Sequence, residues 1–152
     1  MVDVSAGVFT VGVFQDVAWA TKGLDALKRA GFASESMTVI GKEHADVSSL
    51  IERTLGSAGE RIDAAAIGPL VGRGPLVAVL QGDAGDLKKL GMAGTMRRVG
   101  FQPHDGRIFE ALTGRGGVLV AIRSEPRAAD ALAIMHSYGG GNAAIGAWAG
   151  RV

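Results

Sequence analysis

A strand–helix–strand unit that recurs near both ends of the chain constrains its fold more than any other feature. Val8-Phe9-Thr10-Val11-Gly12-Val13-Phe14 is a short apolar run rich in β-branched and aromatic residues, the pattern of a buried strand. Asp16 follows where an N-cap accepts orphan amides, and Val17, Ala20, Leu24 and Leu27 then share one helical face. Lys28 and Arg29 suit the negative end of a helix dipole, and Gly31 supplies a left-handed stop. Met37-Thr38-Val39-Ile40 completes the unit as a second strand.

The C-terminal third repeats this order. Val118-Leu119-Val120-Ala121-Ile122 predicts a strand, Pro126 suits a first helical turn, and Ala128, Leu132 and Met135 continue one face as far as Gly139. Setting Val11 on Leu119 also sets Phe14 on Ile122, Ala20 on Ala128, Leu24 on Leu132, Leu27 on Met135 and Gly31 on Gly139. Ile145 to Trp148 is then the closing strand. Two βαβ halves joined in one antiparallel sheet give a ferredoxin-like α+β arrangement, with both helices on one side. The expected organisation is a single domain over 1–152, with βαβ halves at 8–41 and 117–149 around a Gly-rich helical insertion at 42–116.

Within that insertion Val47, Leu50, Ile51 and Leu55 form an amphipathic pattern ending at Gly56. Leu76–Leu80 is assigned to helix rather than strand, although a five-residue apolar run fits either. Leu87, Leu90, Ala93, Gly94 and Met96 suggest a small-residue helix, and Asp105 to Thr113 another with Ile108, Phe109 and Leu112 inward. Gly68 and Gly72 have the spacing that lets helices approach closely.

Composition narrows the function classes. The 152 residues include 16 Lys+Arg, 15 Asp+Glu, 24 Gly and no Cys, so no disulfide scaffold, thiolate catalysis or Cys-based metal site is available. A net charge of +1 argues against a general nucleic-acid binder. No P-loop motif is present, and Gly114-Arg115-Gly116-Gly117 runs into a strand rather than opening a helix, so ATP and NAD are not expected ligands. His44, His104 and His136 have no ligand-type partner at i+4, and no metal or other cofactor is expected. The most apolar window, Ala64 to Leu80, holds Arg73, Pro69 and Pro75, which argues against a membrane span. The start Met1-Val2-Asp3-Val4 lacks the basic and apolar regions of a signal peptide, so a cytoplasmic protein is expected.

Gly68-Pro69-Leu70-Val71, Gly74-Pro75-Leu76, Leu90-Gly91-Met92-Ala93-Gly94, Val99-Gly100-Phe101 and Gly116-Gly117-Val118-Leu119-Val120 stand in order after the opening unit. With them the chain resembles, over nearly its whole length, the bacterial general stress protein family, whose domain has no assigned activity. The resemblance implies a stress association and transfers no catalytic residue. It departs from the family where Arg73, Asp83, Asp86, Lys88 and Lys89 interrupt a Gly/Ala-rich middle.

The first functional expectation is therefore a non-enzymatic stress-response protein acting by self-association or by docking on a protein partner. Residues 1–69 hold 6 basic and 9 acidic side chains and residues 70–152 hold 10 and 6, an asymmetry that suits an anionic partner. The alternative is a small-molecule sensor or enzyme with a pocket between sheet and insertion, lined by Arg97, Arg98, His104 and Arg107. A homo-oligomer is also expected. Neither side of Phe9–Phe14 reads as wet, so the insertion or a second copy must cover the sheet's other face. Phe14, Gly68, Gly72 and Trp148 are the interface candidates, and Trp19 and Trp148 suit core or interface anchoring.

Overall fold

A computed structural model describes residues 9–65, 67–81, 86–98, 103–123, 127–138 and 144–145. The strands are β1 (Phe9–Phe14), β2 (Met37–Lys42), β3 (Glu60–Ala64), β4 (Gly68–Arg73), β5 (Val118–Arg123) and β6 (Ala144–Ile145). The helices are α1 (Val17–Arg29), α2 (Ala45–Leu55), α3 (Pro75–Gln81), α4 (Asp86–Arg98), α5 (Pro103–Gly114) and α6 (Ala128–Ser137). The fold is α+β, with one antiparallel sheet in the order β3-β4-β2-β5-β1-β6. β5 pairs antiparallel with both β1 and β2, so β1 and β2 run the same way with β5 between them. Trp148, Gly139, Pro126 and Val99-Gly100-Phe101 lie outside the described residues.

Local chemistry sets the first elements as the sequence predicts. The Asp16 carboxylate accepts the Trp19 amide at 2.9 Å and caps α1, which buries Ala20, Leu24 and Leu27. His44 Nδ1 accepts the Asp46 amide at 3.1 Å and caps α2, and Gly56 ends that helix at φ 78°. Alternation along β1 sends Phe9, Val11 and Val13 to one side and Phe14 to the other. In β5, Leu119 and Ala121 join the first side, while Val118, Val120 and Ile122 join the second.

Each face is covered from within the chain. On the Phe14 side, α1, α2 and α6 bury Leu24, Leu27, Leu50, Ile51 and Met135 against Val39, Val120 and Ile122. Arg127 ties α6 to α1 by donating from Nη1 to the Ala30 carbonyl at 2.9 Å, with its guanidinium 4.3 Å from the Phe32 ring. On the Phe9 side, Leu76 and Leu80 of α3, Leu87, Met92 and Met96 of α4, and Phe109 of α5 close over Val11, Ile40, Leu70 and Leu119. The face left open between two candidate covers is thus closed by residues of the central segment.

Several expectations need correction. The segment 42–116 is not wholly helical, because it adds β3 and β4 to the sheet beyond β2. Gly68 and Gly72 stand in a strand, so their spacing is not a helix contact. A Cβ at Gly72 would lie 3.0 Å from Ile40 Cγ1 and 3.3 Å from Ile62 Cδ1, so this glycine makes room for isoleucines of neighbouring strands. Gly72 and Phe14, expected at an interface, are buried within the chain. The Phe14 ring occupies the space where Gly23 of α1 has no side chain; a Cβ there would approach its Cζ to 2.5 Å. Gly68 is the half-exposed start of β4, with φ 98°. In α6 Ala131 and Met135 are buried, while Leu132 is only half-buried.

Candidate functional site

The four polar candidates all fall on α4 and α5, two helices packed against each other on the Phe9 side of the sheet. Arg97 and Arg98 occupy the last turn of α4, and His104 and Arg107 the first turns of α5. All four are exposed. Arg98 Nη2 donates to the Val79 and Leu80 carbonyls at 2.6 and 3.1 Å, placing a cation at the C-terminal end of α3 where the helix dipole favours it.

A break in α4 decides what this layer shows to solvent. Gly91 takes φ 74° and ψ 176°, and a Cβ there would lie 3.0 Å from both the Ala65 carbonyl oxygen and Glu110 Oε2. Beyond the break, Glu110 Oε2 accepts the Ala93 amide at 3.3 Å, and Thr95 Oγ1 donates to the Gly91 carbonyl at 2.9 Å. The half-buried Glu110 carboxylate is thereby directed at the restarted helix. Leu87, Met92 and Met96 go inward, whereas Leu90 is 52% exposed. Beside it in sequence are Lys88 and Lys89, both exposed. The side chains that this pair of helices leaves exposed include Lys88, Lys89, Arg97, Arg98 and Arg107, with Leu90 among them. Asp105 is half-buried.

Two of the grooves on the described residues lie elsewhere. One of about 930 Å³ sits below β2 and β4 beside α3, lined by Met37, Leu55, Glu60, Arg73, Val77 and Gln81. Arg73 there donates from Nη1 to the Ala58 carbonyl at 3.2 Å. The other, of about 560 Å³, lies where α1 and α2 begin, with Asp16, Lys42, Glu43, His44, Asp46 and Gly116 around it. Its Lys42 Nζ donates to the Gly114 carbonyl at 3.2 Å. Arg97, Arg98, His104 and Arg107 line neither groove, so the structure gathers them on a helix layer and not in these concavities.

Sequence patterning offers no signal for Arg73 as a groove residue, since its placement depends on the unforeseen strand β4. It offers only a misleading signal for Leu90, whose helical spacing from the buried Leu87 predicts an inward side chain. Trp19 is 37% exposed on α1, with the Lys22 ammonium 4.5 Å from its ring. His44 is an exposed cap beside Asp46, and His104 and His136 are exposed helix residues. Among the described residues no group of three or more His, Asp or Glu is placed to hold a metal, and no helix is long and apolar enough to cross a membrane. Comparison with protein-family models, with curated proteins and with solved structures finds no match to this chain.

Proposed function

We propose that this chain is a non-enzymatic bacterial stress-response protein of the cytoplasm that docks an acidic protein partner on its α4–α5 layer. The observation that carries the docking is an exposed Leu90 on a pair of helices that also exposes the cations Lys88, Lys89, Arg97, Arg98 and Arg107. A lone exposed leucine needs no explanation. A leucine on a layer that exposes charge of one sign gives a complementary partner both an apolar anchor and electrostatic steering. The association with stress rests on the resemblance of the ordered sequence segments to the general stress family.

A finer reading of the fold goes with this proposal. The order β2-β5-β1-β6, with β1 and β2 codirectional around β5 and with α1 and α6 on one face, supports a duplicated βαβ ferredoxin-like core. On that reading β3, β4 and α2 to α5 form a mixed strand-and-helix insertion whose last three helices cover the core and present the docking layer. The second functional reading, a small-molecule sensor or enzyme, is favoured by the 930 Å³ groove between the sheet and α3. Its polar groups include Glu35, Glu60, Arg73 and Gln81 and none of those expected.

A photo-crosslinking residue placed at Leu90 in living cells tests the docking directly. The expected result is a discrete adduct with an acidic protein that increases on heat or starvation, and no such adduct from Asp25 on the opposite layer. Equal labelling from both positions, or none from Leu90, contradicts the proposal.

A further inference from the structure

The outer edge of β3 holds a second interaction surface. Among the described residues β3 pairs only with β4 and is the edge of the sheet. α4 lies against its C-terminal end, where the Ala65 N–H donates to the Leu87 carbonyl at 3.1 Å, and the exposed Arg61 and Asp63 stand before that contact. A strand edge exposes main-chain donors and acceptors to any strand that can pair with them. Which β3 residues offer those groups follows from the ladder. Asp63 lies opposite Pro69, and the Pro69 carbonyl is turned the other way, accepting the Glu43 amide across at β2. Asp63 and Pro69 therefore form a non-hydrogen-bonded pair, and the Asp63 N–H and C=O point outward. By alternation the same holds for Arg61, while Glu60, Ile62 and Ala64 bond inward to β4.

We propose that this edge pairs with the β3 edge of a second copy of the chain, antiparallel and centred on Ile62. In that register Arg61 of one copy faces Asp63 of the other, and each such pair exchanges both main-chain hydrogen bonds. The same register sets opposite charges side by side twice, a favourable cross-strand arrangement. The neighbouring registers that also match outward-facing groups place Arg61 against Arg61, or Asp63 against Asp63, and are disfavoured by like charge. Charge on an edge strand ordinarily blocks pairing. Here its order along the strand blocks the wrong registers and admits one.

Both side chains are free to make the exchange. Arg61 is exposed and lies 3.7 Å from Glu43 and 4.0 Å from Asp63 in its own chain. Exposed contacts of that kind contribute little, so re-pairing across the edge gives up little. On the opposite side of the strand, Ile62 is buried under the α3–α5 layer, so pairing Ile62 with Ile62 continues an apolar stratum from copy to copy. With both sheet faces covered within the chain, this edge gives self-association a route that needs no open face. It uses different residues from the α4–α5 docking layer, and neither proposal depends on the other.

Sedimentation of the full chain over a range from about 10 to 500 µM, bracketing the affinity of a small interface, tests it. The wild type is expected to move reversibly from its 15.5 kDa monomer to a dimer. Arg61→Asp sets Asp against Asp twice and is expected to weaken the dimer by roughly 10- to 100-fold. The exchange Arg61→Asp with Asp63→Arg keeps the composition, restores the complementary order and is expected to restore the dimer. Arg61→Gln, which removes the charge without reversing it, falls between and carries the test if Arg61→Asp misfolds. A wild type that stays monomeric throughout, a dimer indifferent to these changes, or an exchanged variant as weak as Arg61→Asp overturns the proposal.

Discussion

Phe109→Ala is expected to lower the free energy of unfolding by about 3–5 kcal/mol. The side chain is fully buried on α5 in the same cluster as Val11, Val13, Leu119 and Ala121 of the interior strands β1 and β5. Truncation removes the transfer energy of the ring and leaves a cavity that two helices and a rigid sheet cannot fully close. For a chain of this size each kcal/mol corresponds to about 2–4 °C in Tm, so a fall of roughly 6–20 °C is expected. Urea unfolding read by circular dichroism checks it. A loss below about 1 kcal/mol would mean that α5 is not seated on the sheet and that this face is covered by something else.

Gly74→Ala is expected to cost a similar amount, about 3–5 kcal/mol, for a different reason. Gly74 turns the chain from β4 into α3 at φ 128°, a backbone conformation that side chains rarely tolerate. A Cβ there would run into the Met37 carbonyl oxygen and approach Thr38 Cα and Oγ1 to 2.5 Å. Thr38 Oγ1 also accepts the Leu76 amide at 3.0 Å, so pushing β2 away uncouples the start of α3 from the sheet. Backbone strain and overpacking then act together, and leucines 76 and 80 lose their seat. Thermal unfolding of Gly74→Ala beside Gly56→Ala separates the two effects. Gly56 also has positive φ, at 78°, but nothing within 4 Å of its Cβ position. The Gly56 variant is expected to lose only about 1 kcal/mol. Equal losses at the two positions would rule out the packing argument.

These two residues also show what was legible in the sequence. Phe109 sits at helical spacing from Leu112, and its inward direction follows from periodicity. The alternation along β1 and β5 was equally readable, because each strand is buried on both sides and shows an unbroken apolar run. The strands β3 and β4 were not. Glu60-Arg61-Ile62-Asp63-Ala64 is an edge strand, and its charged outward residues leave only Ile62 and Ala64 to mark it. Gly68-Pro69-Leu70-Val71-Gly72 carries residues that ordinarily argue against a strand. Pro69 is accommodated at the second position of β4, and Gly72 is required by the bulk of Ile40 and Ile62. Such reasons exist only between strands distant in sequence. Without β4 in view, the groove beside α3 could not be foreseen, nor could the covering of the Phe9 face be assigned to the central segment.

The candidate site was legible in part. Arg97, Arg98, His104 and Arg107 were expected together, and they do share one pair of helices. Whether they enclose a pocket or face solvent depends on which side of α4 and α5 meets the sheet, and that is set by Leu87, Met92, Met96 and Phe109 acting jointly. Leu90 is exposed although it stands three residues from the buried Leu87, and the break at Gly91 directly after it is a conformation a glycine permits and a sequence does not announce.

Titration of the purified protein with an acidic amphipathic helical peptide, read by fluorescence anisotropy at low salt, tests the docking claim most directly. The wild type is expected to bind in the micromolar range, weakening as salt is raised. Lys88→Glu with Lys89→Glu is expected to weaken binding more than tenfold through lost and reversed charge. Leu90→Ser leaves the charge unchanged and is expected to weaken it by roughly 5- to 20-fold, the loss of one leucine's apolar burial. Binding that follows the lysines and ignores Leu90 would reduce the layer to a nonspecific cationic surface, and binding indifferent to both would contradict the account.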